Sequence, residues 1–402
     1  MNSQRGAIPR LRSARGPAIL AYGFRPFFLL SGFSALAIII LWLFSFEGTL
    51  ELPTAFAPIS WHTHEMLFGF VGAAIAGFLL TAVPNWTGRL PLNGGPLLGL
   101  VVLWLAGRMA VYYSAVIGAE VTALIDLSFF AVLFVVIVRE ITAGRNWRNL
   151  PIAIAVALLV VANGAFHVEA MGLAVSAEIG WRLGIAVVTL LLALIGGRIV
   201  PSFTRNWLDK HGTKTLPAPL GRFDMITLVL TLVAMVFWTI VPDVKLTSLL
   251  LLLAAGMNAV RLGRWQGYRT AAEPLVLILH VAYAWLPVGL GLLALQPWWP
   301  AVNATAGIHA LTVGAMATMI LAVMTRASLG HTGRSLHAGA AITAIYVLIT
   351  IAALFRVGSA LISGWSTALL HVSTLAWAGS FICFLVIYSP ILLRPRPDGK
   401  PG

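Results

Sequence analysis

WHTHEMLFGFVGAAIAGFLLTAVPNWTGR, residues 61–89, decides the fold class. From Met66 to Val83 it carries no charge, and with the residues before it the run meets the roughly 20 residues that a helix needs to cross hydrocarbon. The apolar residues form one continuous run and do not alternate with polar ones, which excludes a transmembrane β-barrel. Backbone in lipid must close its own hydrogen bonds, and a helix is then the remaining solution.

The same rhythm recurs along the chain. It predicts membrane helices over 27–46, 61–83, 96–115, 119–138, 150–170 and 180–201, then 223–241, 246–262, 273–295, 300–324, 338–357 and 366–391. The chain is thus expected to be an all-α polytopic membrane protein of about twelve helices. Of its 402 residues, 59% are hydrophobic and 10% charged, more apolar than a water-soluble core of this length requires. The expected layout is a basic tail at 1–26, a single membrane domain at 27–393 and a short tail at 394–402. A proline-containing inner loop is expected at 202–222.

A net charge of +13 raises the question of nucleic acid, but in a membrane protein the placement of the charges matters more. With the N-terminus inside, 22 of the 26 Lys and Arg fall on the inner side. Both termini are therefore expected in the cytoplasm, with the basic residues acting as topology signals and contacts to anionic lipid. The apolar run after the basic N-terminus is too long for a signal sequence, so the first helix is expected to be retained. Cys383 is the only cysteine, which leaves no internal disulfide, no thiolate cluster and no covalent CxxCH haem attachment. Any metal centre must rely on histidine.

Compared with itself at an offset of 245, the sequence pairs His64 with His309, Gly69 with Gly314, Ile75 with Ile320, Ala82 with Ala327, and Thr87-Gly88-Arg89 with Thr332-Gly333-Arg334. A thinner match at 117 pairs Pro84 and Thr87 with Pro201 and Thr204. Segments 2, 6 and 10 then stand at equal intervals, suggesting three four-helix units.

His62, His64, His167, His309 and His371 are expected at one depth, in the outer part of their helices. Buried histidine is costly unless bonded, and imidazole is a good ligand for haem iron and for copper. Residues two apart on a helix point about 200° from each other, so His62 and His64 must face different partners. His280 lies off this layer and reads equally as a ligand or as a structural residue. Glu65 and Glu169 are candidates to hydrogen-bond the outer nitrogen of a ligating imidazole. Arg108, Arg182 and Arg356 remain on the outer half. They suit haem propionates, or else pair with Glu120, Asp126 or Glu178. Gly69, Ala73 and Gly77 form a small-residue ladder, which suits close helix packing or a flat macrocycle.

The stretches WHTHEMLFGF (61–70) and AVPNWTGR (82–89), with AYGFRPFFLL (21–30) and HALTVGAMATMILAVMTRASLGHTGR (309–334), resemble the NnrS family of bacterial membrane proteins. The resemblance implies a cytoplasmic-membrane protein containing haem and copper, expressed alongside denitrification functions and linked to tolerance of nitric oxide and nitrosative stress. His62, His64 and His309 fall within the matching stretches and are the implied ligands of a non-covalent, b-type haem. His167, His280 and His371 stay candidates for copper or a second haem on their burial alone.

A looser analogy to haem-copper oxidases and nitric oxide reductases is limited. Those enzymes draw ligands from helices 2, 6, 7 and 10, and here segments 6 and 7 contain no histidine. The expected function is binding of nitric oxide, with sequestration or reduction as the outcome. Reduction of two molecules would need two electrons, two protons and an electron donor. Two rivals are a twelve-helix secondary transporter, whose halves should echo near 190 residues, and a haem-based nitric oxide sensor or assembly factor.

Overall fold

A computed structural model describes residues 16–173, 176–213, 215–299 and 301–399, and its framework is twelve apolar helices long enough to cross a membrane. Arg5, Arg10, Arg12, Arg15, Lys214 and Lys400, on which part of the charge asymmetry rests, lie outside the described residues. The helices are α1 (Phe24–Phe46), α2 (Pro58–Thr87), α3 (Gly94–Tyr112), α4 (Ala119–Ala143), α5 (Trp147–Ala170) and α6 (Ala177–Lys210). They continue with α7 (Arg222–Ile240), α8 (Lys245–Gly263), α9 (Pro274–Leu295), α10 (Ala304–His331), α11 (Ala340–Leu361) and α12 (Ser363–Leu393). The described residues contain no strand.

Three helices form the interior. In α2, α6 and α10, 78, 67 and 72% of the apolar window is buried, whereas the other nine reach 33–56%. These three are also the ones interrupted by π-helical turns, at Glu65–Val71, Leu192–Gly196 and Ala310–Ala317. A π turn widens the helix and leaves carbonyls short of their usual donors, and it is frequent at functional sites. Neighbouring side chains make up the shortfall: Ser31 donates to Phe70 O at 3.1 Å and Arg261 to Ala193 O at 2.9 Å. Shifting 65–71 by 245 residues lands on the π turn of α10. A shift of 117 lands ahead of the one in α6. The stronger sequence echo thus carries its backbone irregularity in register, and the weaker one does not.

The expected loop at 202–222 is shorter than predicted, because α6 continues to Lys210. Val200, Thr204 and Leu208 recur on one buried face while Arg205 and Lys210 stay on the other, so an amphipathic turn follows the apolar run. The bundle closes where α12 returns to α1. Arg25, fully buried, donates to Leu392 O at 2.8 Å and Arg394 O at 2.9 Å, fixing the start of α1 against the end of α12.

Candidate metal centre

The two histidines of α2 diverge, as their spacing requires. Pro58 starts the helix at a position where its missing N–H costs nothing. One turn later His62 stacks on Trp42 of α1, with ring centroids 4.4 Å apart, while His64 turns towards α4 and α5.

Both ring nitrogens of buried His64 face protein oxygens. Nδ1 lies 3.0 Å from Glu65 Oε1, and Nε2 lies 2.7 Å from Asn163 Oδ1 and 3.1 Å from Asp126 Oδ2. His167 donates from Nε2 to the same Asp126 oxygen at 3.0 Å, and Asn163 Nδ2 does so at 2.9 Å. Arg108 bridges the group, donating to Glu65 through Nη1 and to Asp126 through Nη2. The helices approach closely enough because residue 107 is glycine: a Cβ there would stand 2.7 Å from Asp126 Oδ1. Asn163 and His167 are four residues apart and therefore share one face of α5.

Charge explains why this group invites a cation. Glu65 and Asp126 bring two negative charges and Arg108 one positive charge. A ring nitrogen aimed at a carboxylate must carry a proton or give way to a metal ion. Ligand atoms from His64, Asp126 and His167 all lie within 4.8 Å of one another, and His167 Nδ1 is buried without a partner. The imidazoles meet edge to face at 5.5 Å, with Phe56, Phe68 and Phe166 packed around His64. That packing fits an ion and leaves no room for a porphyrin between the rings.

A second group lies on the other side of α2. His309 of α10 donates from Nδ1 to Thr305 O at 2.9 Å, which leaves its Nε2 with a free lone pair. His62 Nδ1 is buried without a partner. Arg356 on α11 lies near both imidazoles, and His62 lies near His309. Arg356 donates to Ser359 Oγ at 2.9 Å and forms no ion pair among the described residues. Two available ring nitrogens beside an uncompensated cation are the donors and the counter-charge that a haem and its propionates would use.

Of the remaining candidates only Arg108 joins a group, and it does so as an ion-pair partner. Arg182 lies 3.4 Å from Glu178 and over the Trp181 ring, and Arg108 is held by carboxylates, so both take the ion-pairing alternative. Glu169 accepts from Ser60 Oγ at 2.9 Å and from Ala177 N at 2.7 Å, tying α2 to the start of α6 and touching no imidazole. His280 bonds Thr204 at 2.7 Å, away from the other histidines. His371 is half-buried, 3.3 Å from Glu47. The small-residue ladder serves packing, since a Cβ at Gly77 would stand 2.8 Å from the Phe28 ring.

Sequence reasoning weighed Asp126 only as an arginine partner and passed over Asn163. The signal for both was available: an acid inside the apolar run ALIDLSFF, and an amide one turn before His167. Compared with known proteins, a family model described as NnrS protein matches residues 18–396, nearly the whole chain. No curated protein matches it.

Proposed function

The chain belongs to the NnrS family, and from that premise we propose a membrane metalloprotein that binds nitric oxide and protects a bacterial cell against nitrosative stress. In this reading His64, Asp126 and His167 hold copper, while His62 and His309 hold a non-covalent haem between α2 and α10. The end bearing these histidines faces outward across the cytoplasmic membrane, with both chain termini inside.

The observation that carries the reading is the buried His64–Asp126–His167 group, which has ligand atoms close enough for one ion and charge for one more cation. Imidazole nitrogen with carboxylate oxygen suits copper, and bound copper and haem iron supply the coordination position that nitric oxide takes. The chain's own residues set the conditions. Arg108 holds Glu65 and Asp126 in place, Asn163 spans His64 and Asp126, and Arg356 would pair with the propionates of a bound haem. Phe56, Phe68 and Phe166 keep water from the ion.

The test is metal analysis with optical and EPR spectra of the purified full chain, before and after nitric oxide. His167→Ala should lose copper and keep haem, and His309→Ala should do the reverse. Folded protein without either metal refutes the reading. Nitrous oxide in the headspace would separate reduction from binding.

A further inference from the structure

The three interior helices do not close on one another. Below the histidines, α2, α6 and α10, with Phe28 of α1, line an open-sided chamber of about 100 Å³ whose side chains are all apolar. Its cause lies in the backbone. Val71 ends the π turn of α2, Leu192, Ile195 and Gly196 belong to that of α6, and Met316 belongs to that of α10, and all of them line the chamber. Three widened helices meeting on one axis cannot interlock as regular helices do, and a void remains. Half-buried Phe78, Ile199 and Val323 also line it, so it has a mouth.

The nearest lining residues, Val71 and Met316, follow His64 and His309 by seven positions, roughly 10 Å along a helix. A void of this kind stays dry and takes up small apolar guests: an apolar cavity of about 150 Å³ binds xenon or benzene. At about 100 Å³ this chamber is smaller than that cavity, which scales it to a guest of a few atoms. We propose that it is a binding site for a small uncharged gas, holding nitric oxide next to the histidine groups. The identity of the gas rests on the function proposed above, whereas the existence of the site does not.

Xenon is the probe. The full chain in lipid nanodiscs is examined by xenon NMR, and its crystals are pressurised with xenon. Xenon between α2, α6 and α10 is the expected result. An empty chamber under pressure, or one filled by a lipid chain, overturns the proposal. Ala74 lines the chamber, so Ala74→Phe should abolish xenon binding and slow nitric oxide association with the metal-loaded protein several-fold at unchanged metal content. Ala74→Val, a smaller change should the first variant not fold, should weaken both in the same direction. Unchanged association in a chamber shown to be blocked also overturns it. Xenon bound in a chain that takes up no metal would refute the proposed function and leave the gas site standing.

Discussion

Asp126→Asn removes the carboxylate on which the ion-sized site converges. One side chain there receives Arg108, His64 at 3.1 Å, His167 at 3.0 Å and Asn163 at 2.9 Å. Removing one partner of a buried ion pair costs about 3–5 kcal/mol. Asparagine keeps the shape and one acceptor oxygen, and Arg108 retains Glu65, so the loss should fall at the low end, about 3 kcal/mol. Losing an outer hydrogen-bond partner of a ligating imidazole already weakens metal binding by about 10–100-fold. Asp126 contacts two imidazoles and offers an oxygen ligand of its own, so copper affinity should fall by at least about 100-fold, or about 2.7 kcal/mol. The assay is copper titration against a competing chelator, beside thermal unfolding of the detergent-solubilised chain. Glu140→Gln is the control on the same helix, because Glu140 pairs with Arg89 and Arg139 away from the site. Wild-type copper affinity in folded Asp126→Asn protein would refute the assignment.

Copper loading should release about one proton, since an ion at His64 Nε2 replaces the hydrogen that faces Asn163 Oδ1 and Asp126 Oδ2. Calorimetry in buffers of different ionisation enthalpy reads this directly, and apparent affinity should rise with pH. Gly197→Ala would place a carbon 2.1 Å from Arg261 Nη2 and push that side chain off Asp224 and Ala193 O. A destabilisation of about 3–5 kcal/mol should appear in thermal unfolding, with copper stoichiometry in the surviving folded protein unchanged. His371→Ala should alter neither metal content nor unfolding temperature, because its partly exposed contact with Glu47 contributes little.

The number and placement of the helices were legible because lipid imposes a long apolar run on every span, and the spacing argument alone separated His62 from His64. The C-terminal extension of α6 was not legible from hydropathy, since its buried face carries only Val200, Thr204 and Leu208 amid charged neighbours. The π turns left no mark in composition either. They became visible only as a backbone feature that shares the 245-residue register. The ion site was half legible. His64 and His167 stood out by type, but Asp126 and Asn163 depend on α4 and α5 meeting α2 at one height, a contact between helices that residue spacing within a single helix cannot supply.

A division into three four-helix units, which we propose from the 245-residue echo, would order three of the arginines. Taking α2–α5, α6–α9 and α10–α12 with α1 as the units, each directs one guanidinium toward its interior helix. Arg108 reaches Glu65 of α2, Arg261 reaches Ala193 O of α6, and Arg356 lies near His309 of α10. Glu65 and Asp126 answer the first, and Asp224 answers the second at 2.8 Å. For the third, no carboxylate among the described residues lies within ion-pair distance. A cation away from water needs a counter-charge, and two of the three units supply it from their own side chains. The arginine that lacks one stands near His309 and His62, each with a ring nitrogen that has no partner, which is the pairing a ligand bearing both a metal and acidic groups would require.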